Sequence, residues 1–265
     1  MKQTMTKTRF MSKLTLATMA ATAALGTHQA YASGDTIHLK EVDWAFDGVF
    51  GTFDRQSIQR GFQVYKEVCS SCHGLDHVAY RNLTDVGFSE DEVKAIAAEK
   101  TVMDGPNDDG DMFERAALPS DKFVAPFSNE KAARAANNGA YPPDLSLIIK
   151  ARFDGPNYVY SLLTGYQEPP AGHDVAEGMH YNPYFAGGQI AMGQPLMDDS
   201  VTYQDGTSAT LAQEARDVVN FLQWAAEPEM EQRKRTGIKA ILYLFAFTIL
   251  FIIAKKRVWK DIKGE

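Results

Sequence analysis

The sequence predicts a mainly α fold with long loops and one C-terminal membrane-spanning helix. Three observations carry that expectation. Apolar residues recur at helical spacing in residues 57–74 and 208–235, and strand-like alternation is scarce. Two Gly- and Pro-rich stretches, residues 103–127 and 167–199, read as long loops. Residues 240–254, "AILYLFAFTILFIIA", carry no charge at all.

The chain opens with Lys2, Lys7, Arg9 and Lys13 and no acid, followed by the apolar "LTLATMAATAAL" (14–25) and the small residues of "AYA" (30–32). That order is a secretory signal peptide, with cleavage expected after Ala32. The apolar run is too short to span a bilayer, and His28 leaves with it.

"SIQRGFQVYKEVCSSCHG" (57–74) sets Ile58, Phe62, Tyr65 and Cys69 on one helical face, with Gly74 suited to a C-terminal cap. It holds both cysteines of the chain, Cys69 and Cys72, followed at once by His73. In an exported protein such a pair can form a disulfide, act as a redox couple, or supply half of a zinc site. Zinc lacks a second pair of thiolates, and a redox couple of the thioredoxin kind lacks its βαβ setting. C-x-x-C-H with an export signal instead points to covalent attachment of haem c, one per chain. Both thiols would bond the porphyrin, and the imidazole of His73 would face the iron. His77, four residues on, is expected on the surface.

Further along, "SEDEVKAIAAEK" (89–100) opens with a capping box from Ser89 to Glu92. Residues 129–139 read as a short helix closed by Gly139. Residues 142–153 read as a helix begun by two prolines, and 157–165 as another after a turn. Residues 208–235 are amphipathic, with Leu211, Ala215, Val218, Leu222 and Ala225 on one face and a kink expected at Pro228. Thr236 to Ala254 is long enough to cross a bilayer if Lys239 snorkels. Arg233, Lys234 and Arg235 precede the span, Lys255, Lys256, Arg257 and Lys260 follow it, and Trp259 suits an interfacial anchor. Both flanks being basic, export decides the orientation: the large domain outside, the tail from Lys255 inside.

The expected organisation is a signal peptide at 1–32 and a periplasmic c-type haem domain at 33–232. A membrane anchor follows at 233–256, then a cytoplasmic tail at 257–265. The leader holds four of the 27 bases, and residues from Arg233 on hold nine bases and two of the 34 acids. Residues 33–232 therefore carry 14 bases against 32 acids, a net −18. So acidic a domain excludes nucleic acid as a partner and favours a cationic one steered by charge. Two acidic runs stand out: Glu90, Asp91 and Glu92, and then Asp104, Asp108, Asp109, Asp111 and Glu114. For a sixth iron ligand the candidates are Met103, Met112, Met179, Met192, Met197 and Met230, with His173 and His180 competing. Met192 lies in "GGQIAMGQPL", where glycines let a backbone close over a flat ring.

"RGFQVYKEVCSSCHGLDHVAYRNL", "EKAARAANNGAYPPDLS", "YVYSLLTGYQEPP", "YNPYFAGGQIAM" and "FLQWAAEPEMEQRKRTG" together resemble cytochrome c1, the haem subunit of the cytochrome bc1 complex, over nearly all of residues 40–260. The plain export leader suggests a bacterial member. The resemblance implies a mainly α, cytochrome c-type haem domain with long loops and one C-terminal transmembrane helix. It implies thioether bonds at Cys69 and Cys72, His73 as proximal ligand and Met192 as the second axial ligand. It further implies that Arg134 pairs with a haem propionate, that Tyr141 adds a hydrogen bond, and that Asn137, Asn138, Pro142 and Pro143 line the haem-side loop. Gly193 departs from the Ala or Pro common after the methionine in relatives, and the extra cysteines of many relatives are missing.

The implied role is electron transfer. The chain would take electrons from the Rieske iron–sulfur protein beside cytochrome b and pass them to a basic cytochrome c docking on an acidic face. It would do so as a single-pass protein of the bacterial cytoplasmic membrane, within a dimeric complex. Alone it would be a carrier, with catalysis belonging to the complex. The alternatives are a membrane-anchored cytochrome c feeding a terminal oxidase, and an enzyme or gas sensor with an open sixth site.

Overall fold

The computed structural model describes residues 38–263. The expected leader, residues 1–32, lies outside the described residues, as do residues 264–265 of the expected tail.

Helix α1 (Arg55–Glu67) starts where the Asp54 carboxylate accepts the Ser57 N–H at 3.1 Å. Its apolar face, Ile58, Phe62 and Tyr65, is buried as the spacing predicts. The helix stops earlier than expected. Val68 caps it, residues Cys69–Ser71 tighten into a 3₁₀ turn, and Gly74 is not the cap. A longer 3₁₀ stretch, Tyr80–Val86, leads to α2 (Glu90–Ala98). Ser89 and Glu92 form the expected reciprocal cap there, the Ser89 N–H donating to Glu92 Oε2 at 2.7 Å.

Residues 103–127, expected as loop throughout, contain half of a hairpin. Strand β1 (Thr101–Asp104) pairs antiparallel with β2 (Phe113–Ala116), Thr101 opposite Ala116. The reason is polar rather than apolar. Arg115 bonds Asp104 across the ladder and Asp121 beyond it. The Asn107 side chain folds the tip by accepting the N–H groups of Asp109 and Asp111 at 3.0 and 2.9 Å.

Helix α3 (Glu130–Ala136) is short, as expected. Its last turn closes through Asn138 and Gly139, both at positive φ, with the Gly139 N–H on Arg134 O at 2.7 Å. The helix expected over 142–153 does not form. Its donors and acceptors are spent elsewhere, on residues 73–77, and only isolated turns such as Ala151 N–H to Leu147 O remain. Helix α4 (Gly155–Leu163) follows. The irregular stretch 167–199 carries one two-residue ladder, β3 (His180–Tyr181) with β4 (Gln189–Ile190).

Pro228 breaks the last amphipathic stretch rather than kinking it. Helix α5 (Leu211–Ala226) ends at Glu227, and α6 (Met230–Lys263) begins anew. Helix α6 is long and apolar enough to cross a membrane, and from Lys239 to Lys260 every side chain is exposed.

The core forms where α1 crosses α5. Phe221 meets Phe62 and Tyr65 with ring centroids 5.7 and 5.5 Å apart. Each such fully buried side chain is worth about 1.5–3 kcal/mol. The crossing is close because residue 61 is glycine: a Cβ there would lie 1.9 Å from Asp217 O. Polar atoms sealed in by the crossing are paired. Ser57 Oγ donates to Asp217 Oδ1 at 2.6 Å, and Arg60 holds the same carboxylate with Nε and Nη2 at 2.8 and 3.1 Å. Gly61→Ala is therefore expected to force the helices apart and lower stability by about 1–3 kcal/mol, at the upper end or above for a backbone clash. Thermal unfolding followed by circular dichroism measures it, and an unchanged midpoint would refute this account of the crossing.

Candidate functional site

The C-terminal end of α1 delivers both cysteines and His73 on one tight turn. The N–H groups of Cys72 and His73 both reach Cys69 O, at 3.1 and 2.9 Å, and Ser70 and Ser71 hydroxyls bond Lys66 O and Val68 O. The two cysteines are not joined in a disulfide. Burial pushes the Cys69 thiol up to about 12, with Cys72 adding to the shift. A redox-active cysteine needs the opposite shift, so Cys69 does not suit the attacking role in thiol exchange. Zinc fails as well: among the described residues no three His, Cys, Asp or Glu side chains gather at one point.

His73 is held for coordination. Its Nδ1 lies 2.7 Å from the Pro143 carbonyl oxygen. A carbonyl only accepts, so Nδ1 carries the proton and Nε2 keeps its lone pair for a metal. Burial lowers the imidazole pKa, against the bond to Pro143 that would raise it, which keeps the ring neutral at pH 7. Its neighbours are equally fixed. Tyr65 donates to His73 O at 3.2 Å, Leu145 N–H to Gly74 O at 2.9 Å, and Asp76 N–H to Asp144 Oδ2 at 2.8 Å. Residues 143–146 thus form a strap laced to the cysteine–histidine turn. His77 is exposed, as expected, with Nδ1 3.9 Å from Asp144.

Met192 lies on a separate loop that packs against the same core as Cys69. Buried Ile190 and Leu196 pin the loop on either side. Tyr166 OH donates to Met192 O at 2.9 Å. Gly193 faces His180, whose Nε2 would stand 3.4 Å from a Cβ at that position. Among the other candidates, Met103, Met112 and Met197 are exposed, and Met230 is buried at the start of α6. Met179 and His180 line a 480 Å³ cavity, with Tyr166, Glu168, Tyr181 and Gln194, beside the Met192 loop. His173 packs edge-on against Tyr181 at 4.9 Å, its Nε2 buried and unpartnered.

Arg134 and Tyr141 come together, the guanidinium 5.4 Å from the ring centroid. In this structure Arg134 also pairs with Glu130, Nη2 to Oε1 at 2.7 Å, and donates to Gly139 O at 3.0 Å. Exposed i,i+4 pairs of this kind contribute only a few tenths of a kcal/mol. Two further residues, Tyr166 and Arg152, escaped the sequence reading, and Pro143 was expected on the haem-side loop without its bond to His73. The Pro143 carbonyl and the Tyr166 hydroxyl act at long sequence range and leave no local signal. Arg152 lies on the stretch that begins with the strap, and its guanidinium bonds Ala151 O and no carboxylate among the described residues.

The donor set suits a covalently bound haem: two unbridged thiols and an oriented neutral imidazole on one turn, and a thioether on a pinned loop over the same core. Residues 44–262 match the model of the Cytochrome C1 family. The chain belongs to the cytochrome c1 family. A mitochondrial cytochrome c1 of Arabidopsis thaliana is 53% identical over 85% of this chain and 73% of its own length. Cytochrome c1 of Rhodospirillum rubrum is 50% identical over 90% of this chain and 93% of its own. A Candida albicans protein named cytochrome b-c1 complex catalytic subunit is 52% identical over 86% and 80%. Membership of the cytochrome c1 family implies a haem cofactor and agrees with the mainly helical fold and apolar C-terminal helix.

Tyr166→Phe is expected to leave the fold intact and free the Met192 carbonyl. One lost hydrogen bond of about 1 kcal/mol should speed amide exchange in residues 190–196 about fivefold. Hydrogen–deuterium exchange with mass spectrometry reads this directly; unchanged protection would mean that Ile190 and Leu196 alone hold the loop.

Proposed function

We propose that this chain is the haem-bearing electron-transfer subunit of a cytochrome bc1 complex, passing electrons from a Rieske iron–sulfur protein to a cytochrome c. The observation that carries the reading is the Pro143 lock on His73, in a chain of the cytochrome c1 family. Haem c supplies one-electron chemistry at its iron. The residues of the chain do the rest. Cys69 and Cys72 would bond one haem covalently, and His73 and Met192 would hold its iron. The strap keeps the imidazole proton on Nδ1, leaving Nε2 free for the iron, and the pinned loop would present the Met192 thioether. Arg134, beside Tyr141, would be the cation for a propionate in place of Glu130. Alone the chain is a carrier, and turnover belongs to the complex with cytochrome b and the Rieske protein.

The same reading makes residues 33–232 a periplasmic haem domain, 233–256 a single-pass anchor and 257–265 a cytoplasmic tail, in a bacterial cytoplasmic membrane and a dimeric complex. The fully exposed apolar surface of α6 supports the anchor. Met192→Leu tests the function. Covalent haem should remain, while the thioether-to-iron charge-transfer band disappears, the potential falls, and quinol–cytochrome c turnover in the complex drops to background. An unchanged potential would assign the ligand to another residue.

The acidic hairpin tip is the proposed docking face for a basic cytochrome c. Of the two acidic runs, Glu90–Glu92 serves its own helix, Glu92 as the cap and Asp91 paired with Lys94 at 3.2 Å. In the hairpin, Arg115 engages Asp104, whereas Asp108, Asp109 and Asp111 are exposed and form no ion pair among the described residues. Steering by exposed charge is screened beyond about 8–10 Å at physiological salt. The second-order rate with a basic cytochrome c should therefore fall steeply with ionic strength. Replacing Asp108, Asp109 and Asp111 by Asn should flatten that slope, and a wild-type slope would move the docking face elsewhere.

A further inference from the structure

The turn at residues 47–51 displays two apolar side chains that no described residue covers. Phe50 is 84% exposed and Val49 63%. The flanking aromatic side chains face inward: Phe46 stacks on Trp44 with centroids 5.4 Å apart, and both are buried with Phe53. The turn is closed at its base by the Thr52 N–H on Ala45 O at 2.9 Å. Gly48 sits at φ +71°, and a Cβ at Gly51 would lie 2.1 Å from Asp47 O. So tight a backbone fixes the tip outward, with the core beneath it already filled.

Contacts with the anchor helix say which way the tip points. The Phe53 N–H and Arg55 bond Glu231, in the first turn of α6, at 2.7 and 2.5 Å. One turn further along the helix, Lys234 Nζ bonds Phe46 O at 2.5 Å and Gly51 O at 3.2 Å. From residue 55 back to 51 the chain descends along α6 in the direction of its apolar segment, and the Val49–Phe50 tip comes next.

Helix arithmetic sets the level of the bilayer. The uncharged residues 240–254 span about 22 Å at about 1.5 Å each, short of a hydrocarbon core of about 30 Å. The span from Thr236 to Ala254 begins just beyond Lys234 and Arg235, with Lys239 snorkelling outward. The turn held by Lys234 thus stands in the headgroup layer, where apolar tips and basic side chains are accommodated together.

We propose that the Asp47–Gly51 turn is a membrane foot, seating Val49 and Phe50 at the headgroup–acyl boundary of the bilayer that α6 crosses. The inference rests on α6 being a membrane span. It gives the haem domain a second point of support, fixing its tilt where one helix would leave it free to swing.

Spin-label accessibility tests it on the full haem-loaded chain in nanodiscs of phosphatidylcholine and phosphatidylglycerol. Phe50→Cys, Leu250→Cys and Asp109→Cys are labelled singly, with the unsubstituted chain as background and the haem spectrum as the check on folding. The expected result is an oxygen-to-aqueous-nickel accessibility ratio at position 50 several-fold above that at 109 and below that at 250. A ratio at 50 equal to that at 109 places the tip in water. Low accessibility to both reagents places it under protein, within the same chain or another copy. Either overturns the foot while leaving the span intact. A water-like ratio at 250 overturns the span and the foot with it.

Discussion

The crossing of α1 over α5 at Gly61 is the contact on which the rest of the structure depends. It lets two backbones approach to a distance that any side chain would block, and so seats Phe221 between Phe62 and Tyr65. The approach also buries the Asp217 carboxylate. Such a charge is tolerable only because Ser57 and the Arg60 guanidinium satisfy it at once. The hydrogen bonds that Arg60 donates to Asp217 in turn hold the Arg60 pKa well above its ordinary value. Removing Arg60 alone would leave the Asp217 charge inside the core without its cation, whereas Arg60 also has Asp205 at 2.9 Å, so packing at this crossing depends on the ion pair.

From that crossing both ends of the functional apparatus are fixed. Helix α1 ends in the cysteine–histidine turn, and α5 ends where Pro228 hands over to the anchor. Glu227, at that joint, pairs with Lys150 at 2.6 Å and with Arg233. The joint is therefore tied to the stretch 142–153 that also supplies the strap over His73. The cysteine–histidine turn at one end of α1 is thereby held at a set distance from the apolar helix that begins just after α5. An electron carrier needs this, because it must present its cofactor to partners at fixed places.

Rigidity around the cysteine–histidine turn and the Met192 loop comes from hydrogen bonds and buried anchors rather than from a disulfide. The strap 143–146 uses a carbonyl, a carboxylate and a hydroxyl to hold residues 73–77, by Pro143 O, Asp144 and Ser146 Oγ. The Met192 loop is held by one tyrosine hydroxyl and two buried aliphatic anchors. Such bonds cost little in the unfolded chain and act only once the core has brought their partners together.

The local features were legible in the sequence because they depend on neighbours in the chain. The apolar face of α1, the Ser89–Glu92 cap, the Gly139 closure, the C-x-x-C-H motif and the uncharged run of α6 all follow from spacing and residue type. Two elements were misread for one reason. Residues 142–153 look helical until their hydrogen bonds are claimed by the histidine turn. Residues 101–116 look like loop until Arg115 ties Asp104 to Asp121. The proposed ligands could be named from the sequence, and the groups that hold them could not. Met192 could be singled out by its glycine-rich setting and by family resemblance, yet nothing near it in sequence names Tyr166. The haem expectation, the residues proposed to hold the haem and the apolar anchor helix were all read from the sequence alone. The tertiary structure decided the imidazole tautomer and the pinning of the methionine loop. Every backbone carbonyl is chemically alike, so only the path of the folded chain selects the one that meets Nδ1 of His73.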